Sequence, residues 1–337
     1  MHIRTWIPIL AAVALAGFAP PGCSRGGSDN KVTIMVGGLE KQIYLPAKLA
    51  EQLGAFARAG LEVELLSTPA GVEATNELIA GAVHAVVGFY DHTIDLQARG
   101  KGIQCIVQLA QSPGEVVLVA RQRAGDIATP EQLRGRTIGV TGLGSSTNFL
   151  VQYIAGKHGV RNTEFTVLPV GAGNSFITAM QQGRIDAGIT TEPTISRLLK
   201  TGEASVLVDL RTPESTRAAL GGPYPAACLY VQTSWLEGNR ATAQKLAAAF
   251  VETLRFIDSH TAQDIADRMP VAYQAGDKEL YVRALAEGKS MFTRDGKMPA
   301  GGPEMVLSVL SAYSSNVKGK VIELPRTFTS ELVDAVH

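Results

Sequence analysis

The sequence predicts an α/β protein made of two similar lobes, each with a mainly parallel sheet flanked by helices. Short apolar strands alternate with helices along most of the chain, which is the pattern of parallel βαβ units. One stretch, AGAVHAVVGFYD, is closely matched further along the chain by QGRIDAGITTEP. This recurrence indicates that one topology occurs twice and that the two stretches are equivalent third strands.

Composition supports a globular protein with two domains. The chain has 337 residues, of which 45% are hydrophobic and 18% charged, so it can bury a large core and is not disordered. Its 31 basic and 31 acidic residues cancel. Since there is no basic surplus to attract nucleic acid or acidic lipid, we expect neither as a partner.

The first residues predict export. A basic start, MHIR, precedes the apolar run WIPILAAVALAGFA, which is too short to cross a bilayer comfortably. The following Gly-Cys step resembles a bacterial lipoprotein cleavage site, with Cys23 as the acylated residue. Because Pro20 and Pro21 depart from that pattern, plain secretory cleavage is the alternative. We therefore predict a signal peptide at 1–22 and a flexible tether at 23–31.

The first lobe begins directly after the tether. Strands are predicted at KVTIMVG, LEVELLST, AVHAVVGF and IQCIVQLA, because their apolar and β-branched residues are typical of buried strands. Helices are predicted between them at YLPAKLAEQLGAFARAG, ended by Gly60, then at GVEATNELIAG and TIDLQARG.

The second lobe repeats the alternation. Strand EVVLVAR precedes a short helix capped by Thr129, with Pro130 in its first position. Strand RTIGVTG precedes a helix that begins at Ser145 or Ser146, and further strands follow at EFTVLPVG, IDAGITTEP and ASVLVDL. A last strand, AACLYV, is predicted to rejoin the first lobe, and the rest is mostly helical. The predicted bounds are 32–119 and 221–337 for lobe I, and 120–220 for lobe II, with hinges near Ala120 and Gly221.

Polar residues at the strand ends predict a ligand cleft. In open parallel sheets, ligands collect beyond the carboxyl ends of the strands, where helix N-termini also point. Two facing lobes would then hold a ligand between Tyr90, Asp91 and His92 on one side and Thr191 and Glu192 on the other.

Several segments resemble periplasmic substrate-binding proteins of ABC importers, in the branch that handles alkanesulfonates, taurine, nitrate and thiamine precursors. The similar segments are LPAKLAEQLGAFARAGLEVEL, LIAGAVHAVVGF, TPEQLRGRTIGVTGLGSSTNFLV and MQQGRIDAGITTEPTISRLLKTG, and the resemblance runs from about Val32 to about Leu254. One departure is His84, which stands where the family usually has Asp, whereas Asp186 keeps the expected residue. This position tunes either strand-end packing or ligand contact.

The resemblance implies a type II periplasmic binding protein fold and a function. The chain would be an exported, non-enzymatic protein without cofactor or metal, a monomer in the periplasm or anchored to the membrane only by a lipid on Cys23. It would capture a small anionic, zwitterionic or heteroaromatic molecule and deliver it to an ABC permease in the inner membrane. The alternatives are an enzyme of the thiamine-pyrimidine synthesis type and a ligand-sensing subunit. Such enzymes use a cysteine-rich segment and a cofactor-bound lysine, whereas this sequence has no clustered cysteines.

The loop TGLGSST is the best candidate for holding an anion. Gly144 allows close backbone approach, and the N–H groups at a helix start carry partial positive charge. Ser145, Ser146 and Thr147 add hydroxyl donors. The alternative is ordinary N-capping by Ser145 or Ser146.

The loop GGLEKQIY lies at the equivalent end of the first strand. The family resemblance places Gly38, Leu39 and either Gln42 or Tyr44 at the cleft. The alternative is a plain turn with Tyr44 packed on its own helix.

The remaining candidates each have a structural alternative. Glu192 either accepts hydrogen bonds from a ligand amine or amidine-like group, or caps a helix. Asp91 is also a helix N-cap candidate, which we favour slightly, and Tyr90 could stack on a heteroaromatic ligand. Tyr224 either lines the hinge side of the cleft or belongs to a rigid loop set by two prolines, and we favour the rigid loop.

The two remaining cysteines, Cys105 and Cys228, lie in apolar runs. An oxidising compartment permits a disulfide, but we favour two buried core thiols.

Overall fold

The computed structural model of the chain describes His2 and residues 30–274 and 276–336. The rest of the predicted signal peptide, Cys23 and most of the predicted tether lie outside the described residues. Within the described ranges, no helix combines the length and apolar character that a bilayer crossing requires.

The described residues form ten strands and fourteen α-helices. The strands are β1 Lys31–Val36, β2 Glu62–Ser67, β3 Ala85–Phe89, β4 Ile103–Gln108, β5 Glu115–Ala120, β6 Thr137–Val140, β7 Thr166–Pro169, β8 Ala187–Thr191, β9 Ala204–Leu210 and β10 Ala227–Gln232. The helices are α1 Leu45–Gln52, α2 Ala55–Arg58, α3 Gly71–Ile79, α4 Asp91–Ala98, α5 Ser146–Lys157, α6 Asn174–Gln181, α7 Thr194–Lys200, α8 Pro213–Leu220, α9 Thr233–Gly238, α10 Arg240–Ser259, α11 Ala262–Arg268, α12 Lys278–Gly288, α13 Gly302–Tyr313 and α14 Glu331–Asp334.

The two predicted lobes are confirmed, each with a five-stranded sheet. The first sheet has the order β2-β1-β3-β10-β4 and the second the order β7-β6-β8-β5-β9. In each, one strand that enters from the other lobe is antiparallel to both of its neighbours: β10 in the first sheet and β5 in the second. The other four strands of each sheet share one direction, so the sheets are mainly parallel as predicted. The matched stretches are equivalent, because β3 and β8 both hold the central position.

Burial follows position in the sheet. Every residue of β3, β5 and β8 is buried, which explains why these segments are continuous apolar runs. The edge strand β2 alternates exposed and half-buried residues along most of its length. Cys105 and Cys228 are both buried and free, as favoured from the sequence.

The chain passes between the lobes twice, through residues 109–114 and 221–226. The first passage precedes β5, so the prediction that lobe I extends to residue 119 and hinges near Ala120 is wrong; Ala120 ends a strand of the second sheet. The two passages are bonded to each other, since Ala110 N–H donates to Ala227 O (2.9 Å) and Ala226 N–H donates to Ala110 O (2.9 Å). The buried Gln108 side chain reinforces them by donating to Ala110 O and Ala227 O (2.6 and 3.1 Å).

The C-terminal helices contact both lobes rather than the first alone. Helix α10 packs on α1, α2 and β4 of the first lobe. Helix α12 contacts α7, and α13 packs against α5, both in the second lobe. An ion pair between Lys200 and Asp277 joins α7 to the residue that caps α12. These helices therefore add contacts between the lobes beyond the two passages.

His84 and Asp186 occupy equivalent places remote from the cleft. His84 Nδ1 accepts a hydrogen bond from Thr33 N–H (2.9 Å), and Asp186 Oδ2 accepts one from Thr137 N–H (2.9 Å). Each side chain ties the residue just before the third strand of a lobe to the first strand of that lobe. Since ligands collect at the opposite strand ends, this position serves strand packing.

We predict that His84→Asp leaves stability within about 0.5 kcal/mol of the wild type, because a carboxylate preserves the acceptor. His84→Ala removes the acceptor and should cost about 1 kcal/mol. Urea unfolding of the three proteins measures the difference. Equal losses in both variants would contradict the assigned role.

Candidate functional site

A small cavity of about 20 Å³ lies between the lobes, at the carboxyl ends of the central strands. Its lining comes from both lobes. The first lobe contributes Lys41, Tyr44, Gly71, Phe89 and His92, and the second contributes Glu115 at the start of β5 and Thr141, Ser145, Ser146, Thr147 and Thr191. This volume is enough for about one water molecule or an ammonium group.

Hydroxyl groups at the start of α5 form the second-lobe wall. Ser145 occupies the N-cap position, but its side chain makes no capping bond; its Oγ donates to Gly142 O (2.6 Å) instead. Oγ1 of Thr147 lies 2.6 Å from Ser145 Oγ and 2.9 Å from Thr141 Oγ1. Simple N-capping by the serine side chain therefore does not explain this loop. The linked hydroxyls lie at the positive end of a twelve-residue helix.

Lys41 is the buried cation of the first-lobe wall, with 5% exposure. Its Nζ donates to Gly37 O (2.6 Å) and Pro69 O (2.7 Å). Gly38 has φ 118°, and a Cβ there would lie 2.7 Å from Lys41 Cε, so this turn requires glycine. Burial lowers the pKa of Lys41, opposed by the nearby carboxylates of Glu40 and Glu115.

Glu115 is a buried carboxyl that lines the cavity. As the first residue of β5 it pairs with Thr191 at the end of β8, because β5 runs antiparallel to β8. The residue is 2% exposed, and Oε2 has no hydrogen-bond partner among the described residues. Burial raises the pKa of this carboxyl well above its ordinary value, and Asp91 raises it further, while Lys41 acts in the opposite direction.

Asp91 lies behind His92 as a second buried carboxyl. Its Oδ2 accepts a hydrogen bond from Tyr224 O–H (3.2 Å), and Oδ1 lies 3.8 Å from His92 Nδ1. Oδ1 has no hydrogen-bond partner within the described ranges. Burial raises the pKa of Asp91, opposed by the neighbouring His92.

The structure brings together part of the predicted site. The predicted residues that line the cavity are Tyr44, His92, Ser145, Ser146, Thr147 and Thr191. Those outside the lining are Gly38, Leu39, Gln42, Tyr90, Asp91, Gly144, Glu192 and Tyr224. Of the latter, Asp91 and Tyr224 support the wall through their mutual hydrogen bond, and Gly38 makes room for Lys41.

Three of the outlying residues have evident structural partners. Tyr90 O–H is bonded to Thr327 inside the first lobe, so its ring does not face the cavity. Glu192 Oε2 accepts a hydrogen bond from Ser196 N–H (2.9 Å), which is the helix-cap alternative for this carboxylate. Gln42 joins the lobes, since its N–H donates to Glu192 O (3.1 Å).

Sequence reasoning missed Lys41, Gly71, Phe89 and Glu115, and named Thr141 only as part of its loop. A signal for Glu115 was present, because it is the one charged residue of the otherwise apolar strand EVVLVA. Its position in the cavity wall could not be predicted from the sequence, because it depends on β5 running antiparallel to its neighbours. Lys41 carried no signal, since a lysine in a polar loop is ordinarily exposed.

The cavity thus opposes two kinds of group. Lysine, hydroxyl and helix-terminus donors line it together with the Glu115 carboxyl, and the Asp91 carboxyl lies behind the wall. Buried polar atoms without partners are costly, so such a set is suited to a ligand that completes the hydrogen bonding.

Comparisons with known proteins agree with this architecture. Residues 44–260 match the family described as NMT1/THI5 like. A solved protein from Bordetella bronchiseptica RB50 is 33% identical, with a TM-score of 0.85 over 90% of this chain and 96% of that one. The alkanesulfonate-binding protein SsuA from Xanthomonas axonopodis pv. citri has a TM-score of 0.71 and 16% identity, over 89% and 98% of the two chains.

Two curated relatives point in different directions. The putative binding protein YtlA of Bacillus subtilis is 24% identical, over 81% of this chain and 79% of that protein. The 4-amino-5-hydroxymethyl-2-methylpyrimidine phosphate synthase THI13 of Saccharomyces cerevisiae is 24% identical over 49% of this chain, which spans about half (47%) of the synthase.

The family match covers more than half of the chain, and the fold confirms the resemblance seen in the sequence. This protein belongs to the NMT1/THI5-like family and has the fold of the periplasmic solute-binding proteins.

Proposed function

We propose that this protein is an exported solute receptor that captures a small molecule between its lobes and delivers it to an ABC permease. The observation that carries the proposal is a cavity lined by both lobes with an unpartnered, buried Glu115 oxygen in its wall. Support comes from YtlA and SsuA, which are named as binding proteins.

The ligand carries hydrogen-bond donors in this proposal. Of the anionic, zwitterionic and heteroaromatic molecules expected from the sequence, the last two can present N–H groups that donate to Glu115. The hydroxyl groups at the start of α5 donate hydrogen bonds to an acceptor on the same ligand. A simple anion such as nitrate leaves the Glu115 carboxyl unpaired.

Entry requires the lobes to separate. The cavity is far smaller than the roughly 300 Å³ or more of ordinary ligand sites, and the lobes touch across it through Gln42 and Glu192. In this proposal, opening is a hinge motion about residues 109–114 and 221–226. A lipid on Cys23 would keep the receptor near its permease, and the protein would act as a monomer.

The synthase relatives favour one alternative, an enzyme of thiamine-pyrimidine synthesis. Within the described ranges, the cavity lining contains no cysteine, and Cys105 and Cys228 are buried in the first sheet. We therefore propose binding without transformation. Recovery of unchanged ligand after prolonged incubation tests this choice, and a new product would contradict it.

Wild-type protein should gain thermal stability from n-butylamine, 4-aminopyrimidine or taurine, and not from nitrate. A ligand that binds only the folded state raises the melting temperature. Glu115→Gln should weaken binding of the best of these compounds about tenfold or more by calorimetry, since a charged hydrogen bond is lost. Glu77→Gln, an exposed glutamate on α3, is the matched control. Stabilisation by nitrate alone, or equal affinity in both variants, would contradict the ligand class.

Stability should also fall with rising pH because of Glu115. The raised pKa means that the folded protein keeps a proton that the unfolded chain loses above about pH 4.3. Folding then binds a proton, so the free energy of unfolding falls by up to about 1.4 kcal/mol per pH unit until the folded group ionises. Glu115→Gln should show a shallower decline above about pH 4.3 in urea unfolding. Parallel curves for variant and wild type would show that the carboxyl is already ionised.

A further inference from the structure

A second, larger pocket adjoins the cavity and shares Lys41 with it. This outer pocket has a volume of about 300 Å³ and lies between the first-lobe loop, the starts of α6 and α7, and the segment before α12. Its lining includes Glu40 and Lys41, Asn174, Thr194 and Arg197, and Tyr273. The inner cavity and the outer pocket therefore have Lys41 as a common wall residue.

Arg197 is the distinctive group of the outer pocket. It is half-buried on α7, and its guanidinium has no hydrogen bond or ion pair within the part of the chain that the structure describes. Neighbouring cations are paired: Lys200 contacts Asp277, and Arg211 contacts Asp209 (2.7 Å). An arginine left with all its donors free at a pocket wall is suited to a planar anion.

Size gives an independent reason to expect the ligand there. The inner cavity holds about one small group, such as an ammonium or a ring edge. A ligand anchored on Glu115 must therefore place the rest of its atoms elsewhere. The outer pocket is large enough, and Tyr273 and Pro193 give it apolar surface.

We propose that the ligand is bipartite: a donor-bearing group enters the inner cavity, and a carboxylate or sulfonate of the same molecule binds Arg197 in the outer pocket. This inference rests on the proposed function. Glu40, an exposed carboxylate on the opposite wall, is the other charge that faces this space besides Lys41. Glu40 repels the ligand's carboxylate or sulfonate from the first-lobe side of the pocket. The anion is therefore expected on the second-lobe side, next to Arg197.

The test uses two series of probes matched in length. Straight-chain ω-amino carboxylates of three to eight carbons carry both groups, and n-alkylamines of the same lengths carry the amine alone. At the best length, wild-type protein should bind the amino carboxylate at least tenfold more tightly than the alkylamine in calorimetric titrations. Arg197→Gln should reduce that ratio to less than twofold while leaving alkylamine affinity unchanged, and Arg197→Lys should keep part of it.

Two control variants distinguish anion binding by Arg197 from a purely structural role. Arg217→Gln removes an exposed arginine from α8, outside both spaces, and should keep the full ratio. Glu40→Gln should keep or increase it. Glu40→Gln and Arg197→Gln could instead lower the affinity for both series of probes equally. The two residues would then stabilise the contact between the lobes, and the assignment of Arg197 as an anion site would be overturned. Equal affinity of wild type for the two series overturns the bipartite ligand alone, whereas no binding of either series contradicts the proposed function as well.

Discussion

The burial of the Glu115 carboxyl constrains the rest of the site. A carboxyl at 2% exposure is costly to ionise, so the protein must either keep it protonated or supply a partner. Lys41 is the nearby protein cation, yet its Nζ is already bonded to Gly37 O and Pro69 O. The unpartnered oxygen is therefore available to a ligand. Other features, from the glycine at 38 to the hydroxyls of α5, shape the space in front of it.

The topology explains why this carboxyl lies where it does. Each parallel strand has its carboxyl end at the cleft, so its first residue lies at the opposite edge of the sheet, away from the cleft. Strand β5 enters from the other lobe and runs the opposite way, and its first residue therefore comes to the ligand edge beside Thr191. Glu115 also follows the first passage directly. A change at Glu115 is thus adjacent to the segment about which the lobes would open.

More of the fold than of the candidate site could be predicted from the sequence. Alternating strand and helix patterns, and the matched stretches around β3 and β8, led to two lobes with the right strands, because hydrophobic periodicity is a local property. Strand pairing is not local, so the predicted boundary at residue 119 cut off most of β5 from the second lobe, although its sequence pattern groups it with that lobe. The same limit hid Glu115. Side-chain direction decided which of the predicted residues at the strand ends line the cavity. His92 and Thr191 do, whereas Tyr90 is bonded to Thr327 and Glu192 caps α7.

The most direct test of the central claim is the number of protons exchanged when an amine binds. Titration calorimetry of n-butylamine in buffers of different ionisation enthalpy, at neutral pH, measures that number. If Glu115 holds a proton in the free protein and loses it to meet the cation, binding should release protons from the wild type and fewer from Glu115→Gln. Butylamine binding with no proton release, or with the same release in both proteins, would contradict a protonated carboxyl in the wall of the cavity.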